Sequence, residues 1–158
     1  MTKRNFYAIW LAIVILGGVA ISSLAYMSSL NKDRLNERGI MEQNRKFVEG
    51  FFNFESTDQR YDAIKPYTTE QGYRATFPSG TDLPQNSKIH SKVNNLKAFI
   101  QKDPVPKKEE VEILNKFELT TEFNGIGSTQ TIIMKTILLE TDNWKVNDIE
   151  MIIQNTHE

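Results

Sequence analysis

The residues best equipped for chemistry in this 158-residue chain lie close together in its first half: Tyr61, Asp62, Tyr67 and Tyr73. A tyrosine hydroxyl and a carboxylic acid facing a dry cavity can polarise a carbonyl and move a proton. The same spacing suits tyrosines that bury their rings and keep their hydroxyls wet, with Asp62 in solvent. The second reading asks for nothing beyond ordinary packing and is preferred. The two histidines, His90 and His157, do not stand as a pair at helical or strand spacing, so no set of metal ligands in register is encoded. There is no cysteine, which excludes a lipoprotein anchor, a disulfide framework, a thiol nucleophile and thiolate ligands. A Gly-rich phosphate loop, a serine elbow and a kinase signature are also missing from the sequence. We therefore assign no catalytic, cofactor-binding or metal-ligating residue and expect no cofactor. Lys97, Lys102, Lys107 and Lys108 lie around a turn at Pro104, and Lys107-Lys108-Glu109-Glu110 opens a strand. This charge is read as protection of a sheet edge rather than as a ligand site.

The stretch that says most about function is apolar. Phe6 to Met27 carries no ionisable charge, and a helix of that length measures about 33 Å at about 1.5 Å per residue. That crosses a hydrocarbon layer of about 30 Å. Lys3 and Arg4 precede the run, while Lys32-Asp33-Arg34 follows it nearly balanced, so the N-terminus is expected in the cytoplasm and the rest outside. Ser23-Leu24-Ala25 also offers small residues at the −3 and −1 positions of a signal-peptide cleavage site, but the run exceeds a typical signal core. Ala8 and Ala12, and Gly18 and Ser22, are each four apart, which sets small residues on a common helix face. They are the candidate membrane-helix packing residues, although membrane helices use small residues freely. The chain has 19 Lys and Arg against 20 Asp and Glu, and without Lys3 and Arg4 the balance becomes 17 against 20, a net charge of −3 beyond the run. Nucleic acid is therefore not expected as a direct partner.

The elements that follow change period midway. Ile40, Met41, Phe47, Val48, Phe51 and Phe52 recur at helical spacing, giving one apolar face. Ser56 with Gln59, and Thr68 with Gln71, read as caps of two short helices, whose inward residues are Tyr61 and Ile64, then Tyr73 and Phe77. Pro66 ends the first. Ile89, Ser91 and Val93 alternate on one parity and Leu96, Ala98 and Ile100 on the other, which predicts a strand with a bulge near Asn94-Asn95. A second strand holds Val111, Ile113, Phe117, Leu119 and Phe123 on one side, and Asn124-Gly125-Ile126-Gly127 turns it into a third over Thr131 to Glu140. Thr141-Asp142-Asn143 leads to a fourth from Trp144 to Ile153. About three helices covering a curved, four-stranded antiparallel meander make an α+β domain. The expected divisions are a cytoplasmic tail (1–5), a transmembrane helix (6–27), a juxtamembrane linker (28–38), an extracytoplasmic domain (39–154) and a C-terminal tail (155–158).

A short tail, one membrane helix, a long helix carrying FVEGFFNF, the segment RYDAIKPYTTEQGYRATFP and four strands ending in TDNWKVNDIEMII resemble the VirB-eight-type assembly factors of type IV secretion systems. The layout is most similar to the reduced forms found in conjugative elements of Gram-positive bacteria. The resemblance implies a cone-shaped, nuclear-transport-factor-two-like domain held outside the membrane. It also implies a scaffold role in the DNA-transfer channel, self-association, contacts with other secretion-channel membrane subunits, and no catalysis. Gram-negative members carry an Asn-Pro-x-Gly loop before the last strand, where this chain has Thr141-Asp142-Asn143, so no partner-binding residue is carried over. The competing expectation is a membrane-anchored enzyme or small-ligand binder. It requires a pocket in the cone lined by convergent polar groups, whereas a scaffold requires a cone filled by Phe, Ile and Leu.

Overall fold

The computed structural model of the chain describes residues 22–23, 26–28, 36–55, 57–77, 89–101 and 109–157. The chain divides into two units, Met1–Arg38 and Gly39–Glu158. In the first, residues 22–23 and 26–28 are helical and exposed, and the rest of the Phe6 to Met27 run lies outside the described residues. Among the described residues no helix is long and apolar enough to cross a membrane.

The expected order of helices before strands is observed. Helix α1 covers residues 36–52. It is followed by α2 (Thr57–Ile64), a single 3-10 turn (Lys65–Tyr67) and α3 (Glu70–Ala75). Strands β1 (Ile89–Gln101), β2 (Glu110–Phe123), β3 (Ile126–Glu140) and β4 (Trp144–His157) form one antiparallel sheet in sequence order. Every pair of neighbours is joined directly, as a meander requires.

The apolar stripe of α1 is what fixes the helix to the sheet. Ile40, Phe47, Val48, Phe51 and Phe52 are buried, and they meet Ile113 and Phe117 of β2 and Ile132, Met134 and Leu138 of β3 in one core. Fully burying each such side chain contributes roughly 1.5–3 kcal/mol. Ring packing carries the contact across the layers: Phe51 meets Phe52 edge to face, and Phe52 tilts onto Phe117, both with centroids 4.9 Å apart. The opposite side of α1 is polar, with Arg45 bridging Glu42 and Glu49 in exposed pairs that add little to stability.

Several local features depart from the sequence reading. The cap of α3 is Thr69, not Thr68: its hydroxyl accepts from Gly72 N–H at 3.0 Å and donates to Asn147 Oδ1 at 2.8 Å. Thr68 is held extended in a parallel bridge to Val146, so the chain can turn only one residue later. Pro66 does not stop α2 sharply but sits inside the 3-10 turn, where its missing N–H costs nothing. Backbone pairing of β4 continues to His157, which opposes Thr129, so residues 155–157 extend the strand where a tail was expected.

The sheet bends where residues are inserted. Asn95 adopts φ 55° and the β1–β2 register shifts between Asn94 and Lys97, the bulge anticipated from the change of parity. Two further shifts in β3–β4 leave Asn147 and Ile152 as extra residues in β4, and these were not anticipated. The β2–β3 turn is tighter than expected. Asn124 and Gly125 alone make it, with φ 52° and 80°, the paired positive angles of a type I′ hairpin. At Gly72 a Cβ would lie 2.1 Å from Val146 O, so only glycine lets α3 approach β4 this closely.

Candidate functional site

The tyrosine–aspartate group divides between buried and exposed positions. Tyr61 is buried and stacks on Phe77 with centroids 4.4 Å apart and planes 7° apart, while Tyr73 meets the same ring edge to face at 5.0 Å. Asp62 faces solvent and Tyr67 is half-buried. The exposed acid and the buried Tyr61 ring thus do not share one face of α2. Desolvation pushes the Tyr61 phenol above its ordinary value, a shift that neighbouring Arg60 opposes.

The helices and the sheet share one apolar core. Phe47, Phe117, Ile64, Ile113, Ile132, Met134, Leu138, Val48 and Val146 are all fully buried there. A polar cluster interrupts them. Asn44 on α1, Asn115 on β2 and Thr136 on β3 are each 0% exposed and close a ring of hydrogen bonds. Asn44 Nδ2 donates to Asn115 Oδ1 at 2.7 Å, Asn115 Nδ2 to Thr136 Oγ1 at 3.0 Å, and Thr136 Oγ1 to Asn44 Oδ1 at 2.6 Å. Asn115 Nδ2 also reaches Ile113 O at 3.3 Å. Each member both donates and accepts within the ring, so its polar atoms are turned toward one another. The sequence signal was present: Asn115 occupies the inward parity of β2, and Asn44 stands four residues after Ile40 and four before Val48 in the apolar stripe.

Arg60 was also missed. Its guanidinium lies 3.6 Å from the Phe51 ring centre, 5.2 Å from Phe54 and 5.7 Å from Tyr61. Its Nε is buried without a hydrogen-bond partner, and no ion pair to it occurs among the described residues. Burial holds its pKa below the ordinary arginine value, with the Tyr61 hydroxyl acting in the other direction. The attraction of the aromatic faces for a cation compensates part of that cost.

Among the described residues, a concavity open to solvent lies at the β1 side of the sheet. Segment 53–55 runs beside β1, with Phe54 and Ser91 exchanging backbone hydrogen bonds at 3.2 and 3.0 Å. Together with the outer face of β1 and β2 it borders a groove of about 820 Å³, lined by residues including Asn53, Glu55, His90, Lys92, Thr120 and Glu122. The groove is shallow and its charges are mixed, so it does not focus a field of one sign. His90 is exposed in it, opposite Glu122 across the strand pair. Among the described residues no group of three or more His, Cys, Asp or Glu is placed to hold a metal ion. Lys97 is exposed on β1, whereas Lys102, Lys107 and Lys108 lie outside the described residues. Of the membrane-helix packing residues, Ser22 is helical and exposed, and Ala8, Ala12 and Gly18 lie outside the described residues.

A helical cover ahead of a four-stranded antiparallel meander is the arrangement of the nuclear-transport-factor-two-like fold. The model of the YddI NTF2-like domain matches residues 36–153, from the start of α1 to past the middle of β4. The chain belongs to this family. It is similar to the uncharacterized protein YddI of Bacillus subtilis (strain 168), with 30% identity over 110 residues. The match covers 69% of this chain and 64% of that relative. The family assignment accounts for the sheet and the helical cover, and it leaves the role of the domain to be argued from its surfaces.

Proposed function

We propose that the chain is a membrane-anchored structural subunit of a conjugative type IV secretion channel, of the VirB-eight type, and that it acts through protein–protein contacts rather than catalysis. The observation that carries this reading is the apolar core between the helices and the sheet. Phe47, Phe117, Ile113, Ile132 and Leu138 are fully buried there, and the Asn44–Asn115–Thr136 cluster among them is closed on itself. That favours a scaffold over an enzyme or small-ligand binder working inside the cone. The uncharged run Phe6 to Met27 supports an anchor in the cell membrane, single-pass, with a cytoplasmic N-terminus. The net charge of −3 beyond that run supports channel subunits, not DNA, as the direct partners.

Deletion of the gene from a conjugative donor is expected to abolish transfer to recipients, with recovery on complementation in trans. Undiminished transfer in a donor with no second copy would overturn the proposal. Topology can be read separately, because the chain has no native thiol. A cysteine introduced by Ser87→Cys is expected to react with a membrane-impermeant maleimide in cells stripped of their wall, and protection until lysis would reverse the orientation.

A further inference from the structure

The two edges of the sheet are treated differently. On β4, Val146 O accepts from Thr69 N–H at 2.9 Å, Ile149 N–H is met by Asp148 Oδ1 at 2.8 Å, and the extra residues Asn147 and Ile152 break the flat ladder. These are devices that block the addition of another strand. On β1 the first half is closed too. Ser91 exchanges hydrogen bonds with Phe54, and Val93 N–H donates to Asn53 Oδ1 at 2.6 Å. Beyond the bulge at Asn95, no strand or bridge among the described residues pairs with the outer edge of Lys97 to Gln101.

Because the bulge inserts one residue, it changes which amides face outward. Before it these belong to Ser91 and Val93. After it they belong to Ala98 and Ile100, since Lys97, Phe99 and Gln101 take over the bonds to β2. Phe99 therefore sits between two outward-facing backbone pairs. Its side chain lies on the outer face, 56% exposed, beside Leu114 at 37%.

We infer that this open edge is a self-docking site, at which β1 of a second copy of the chain pairs antiparallel about a two-fold axis at Phe99. The register follows from the sequence of the edge itself. Ala98 and Ile100 of the second copy exchange N–H···O bonds, and so do Ile100 and Ala98. The two Phe99 side chains meet in the non-hydrogen-bonded pair, where cross-strand side chains come closest. Lys97 falls opposite Gln101, so no like charges oppose one another. An axis at Lys97 would set that lysine against itself, and an axis at Ala98 would set Phe99 against Lys97. A two-fold at Phe99 thus sets Phe99 against itself on the outer face and Ala98 against Ile100 on the inner one, and joins two sheets into one of eight strands. The proposal names the surface for the self-association in the reading above and rests on that reading only for the biological setting.

The absence of native cysteine allows the register to be tested in the full chain, expressed in membranes. Opposed residues of a non-hydrogen-bonded pair lie about 4.5 Å apart at Cα, within disulfide reach. On mild oxidation, Phe99→Cys is expected to give a disulfide-linked homodimer. Lys97→Cys alone is expected to give none, and Lys97→Cys mixed with Gln101→Cys is expected to give the mixed dimer. Ala98→Pro removes an outward N–H at an edge position where proline is compatible with the fold. In detergent it is expected to halve the mass measured by light scattering while leaving the far-ultraviolet circular dichroism unchanged. The inference is overturned if Phe99→Cys does not self-link, if Lys97→Cys self-links as well as Phe99→Cys, if Phe99→Cys links to a different protein, or if the unaltered chain is monomeric. A monomer that still supports DNA transfer would sink the edge and spare the secretion role, whereas a dimer without any effect on transfer would do the reverse.

Discussion

Two polar groups lie under the helical cover, and the fold treats them in opposite ways. The Asn44–Asn115–Thr136 ring is surrounded by apolar side chains and satisfies itself, each member both giving and accepting. Arg60 is held by ring faces, keeps its Nε unpaired and carries a full charge into a largely desolvated place. The ring joins three elements, α1, β2 and β3, and only one depth and rotation of α1 closes it. Arg60 joins α2 to the aromatic end of α1 through forces that are weakly directional. The difference separates a device that specifies a unique packing from one that merely tolerates a charge.

Breaking one member of the ring is expected to have the largest effect. Asn115→Ala strands Asn44 and Thr136 in an apolar layer and leaves a small void, at a cost of about 2–4 kcal/mol in denaturant unfolding. Replacing all three by apolar residues of similar size, Asn44→Leu, Asn115→Leu and Thr136→Val, is expected to recover most of that loss. If the triple variant is as unstable as the single one, the ring is a source of stability rather than of specificity. Arg60→Met should change stability by less than about 1 kcal/mol, because the lost cation–π attraction and the relieved desolvation oppose each other. A loss as large as that of Asn115→Ala would erase the contrast. The smallest effect concerns pH. Tyr61 has its folded pKa raised, mainly by desolvation, so its contribution is complete below the unfolded value of 10.0 and is lost as pH rises beyond it. Tyr61→Phe is therefore expected to flatten the fall in melting temperature above pH 10 and to leave the neutral range unaltered.

Much of this architecture is legible in the sequence where one periodicity dominates. The stripe from Ile40 to Phe52, the parity switch around Asn95 and the Asn124-Gly125 turn each state their structure locally. The cap at Thr69 is not legible, because it depends on Val146 and Asn147 arriving from the far end of the chain to hold Thr68 extended. The two bulges of β4 have the same origin: Asn147 and Ile152 become extra residues only against the register of β3. The candidate sites were the least legible part. The tyrosines of the short helices looked like a reactive group because spacing says nothing about direction, and Tyr61 and Tyr73 turn toward Phe77 while Asp62 turns away. Asn115 could have been singled out, since a polar residue on the apolar parity of a long strand is an exception that asks for a partner.

The ring also sets a clock. Its bonds join residues 71 and 92 positions apart, and the cap of α3 waits for a partner 78 positions later. At ribosomal rates of about 5–20 residues per second, the first helix is made roughly 5–18 seconds before β3 can receive it. Through that interval its row of phenylalanines has no sheet to cover it. The nascent chain is therefore a client for whatever binds exposed apolar helices, and the domain settles only when its last strand has been made.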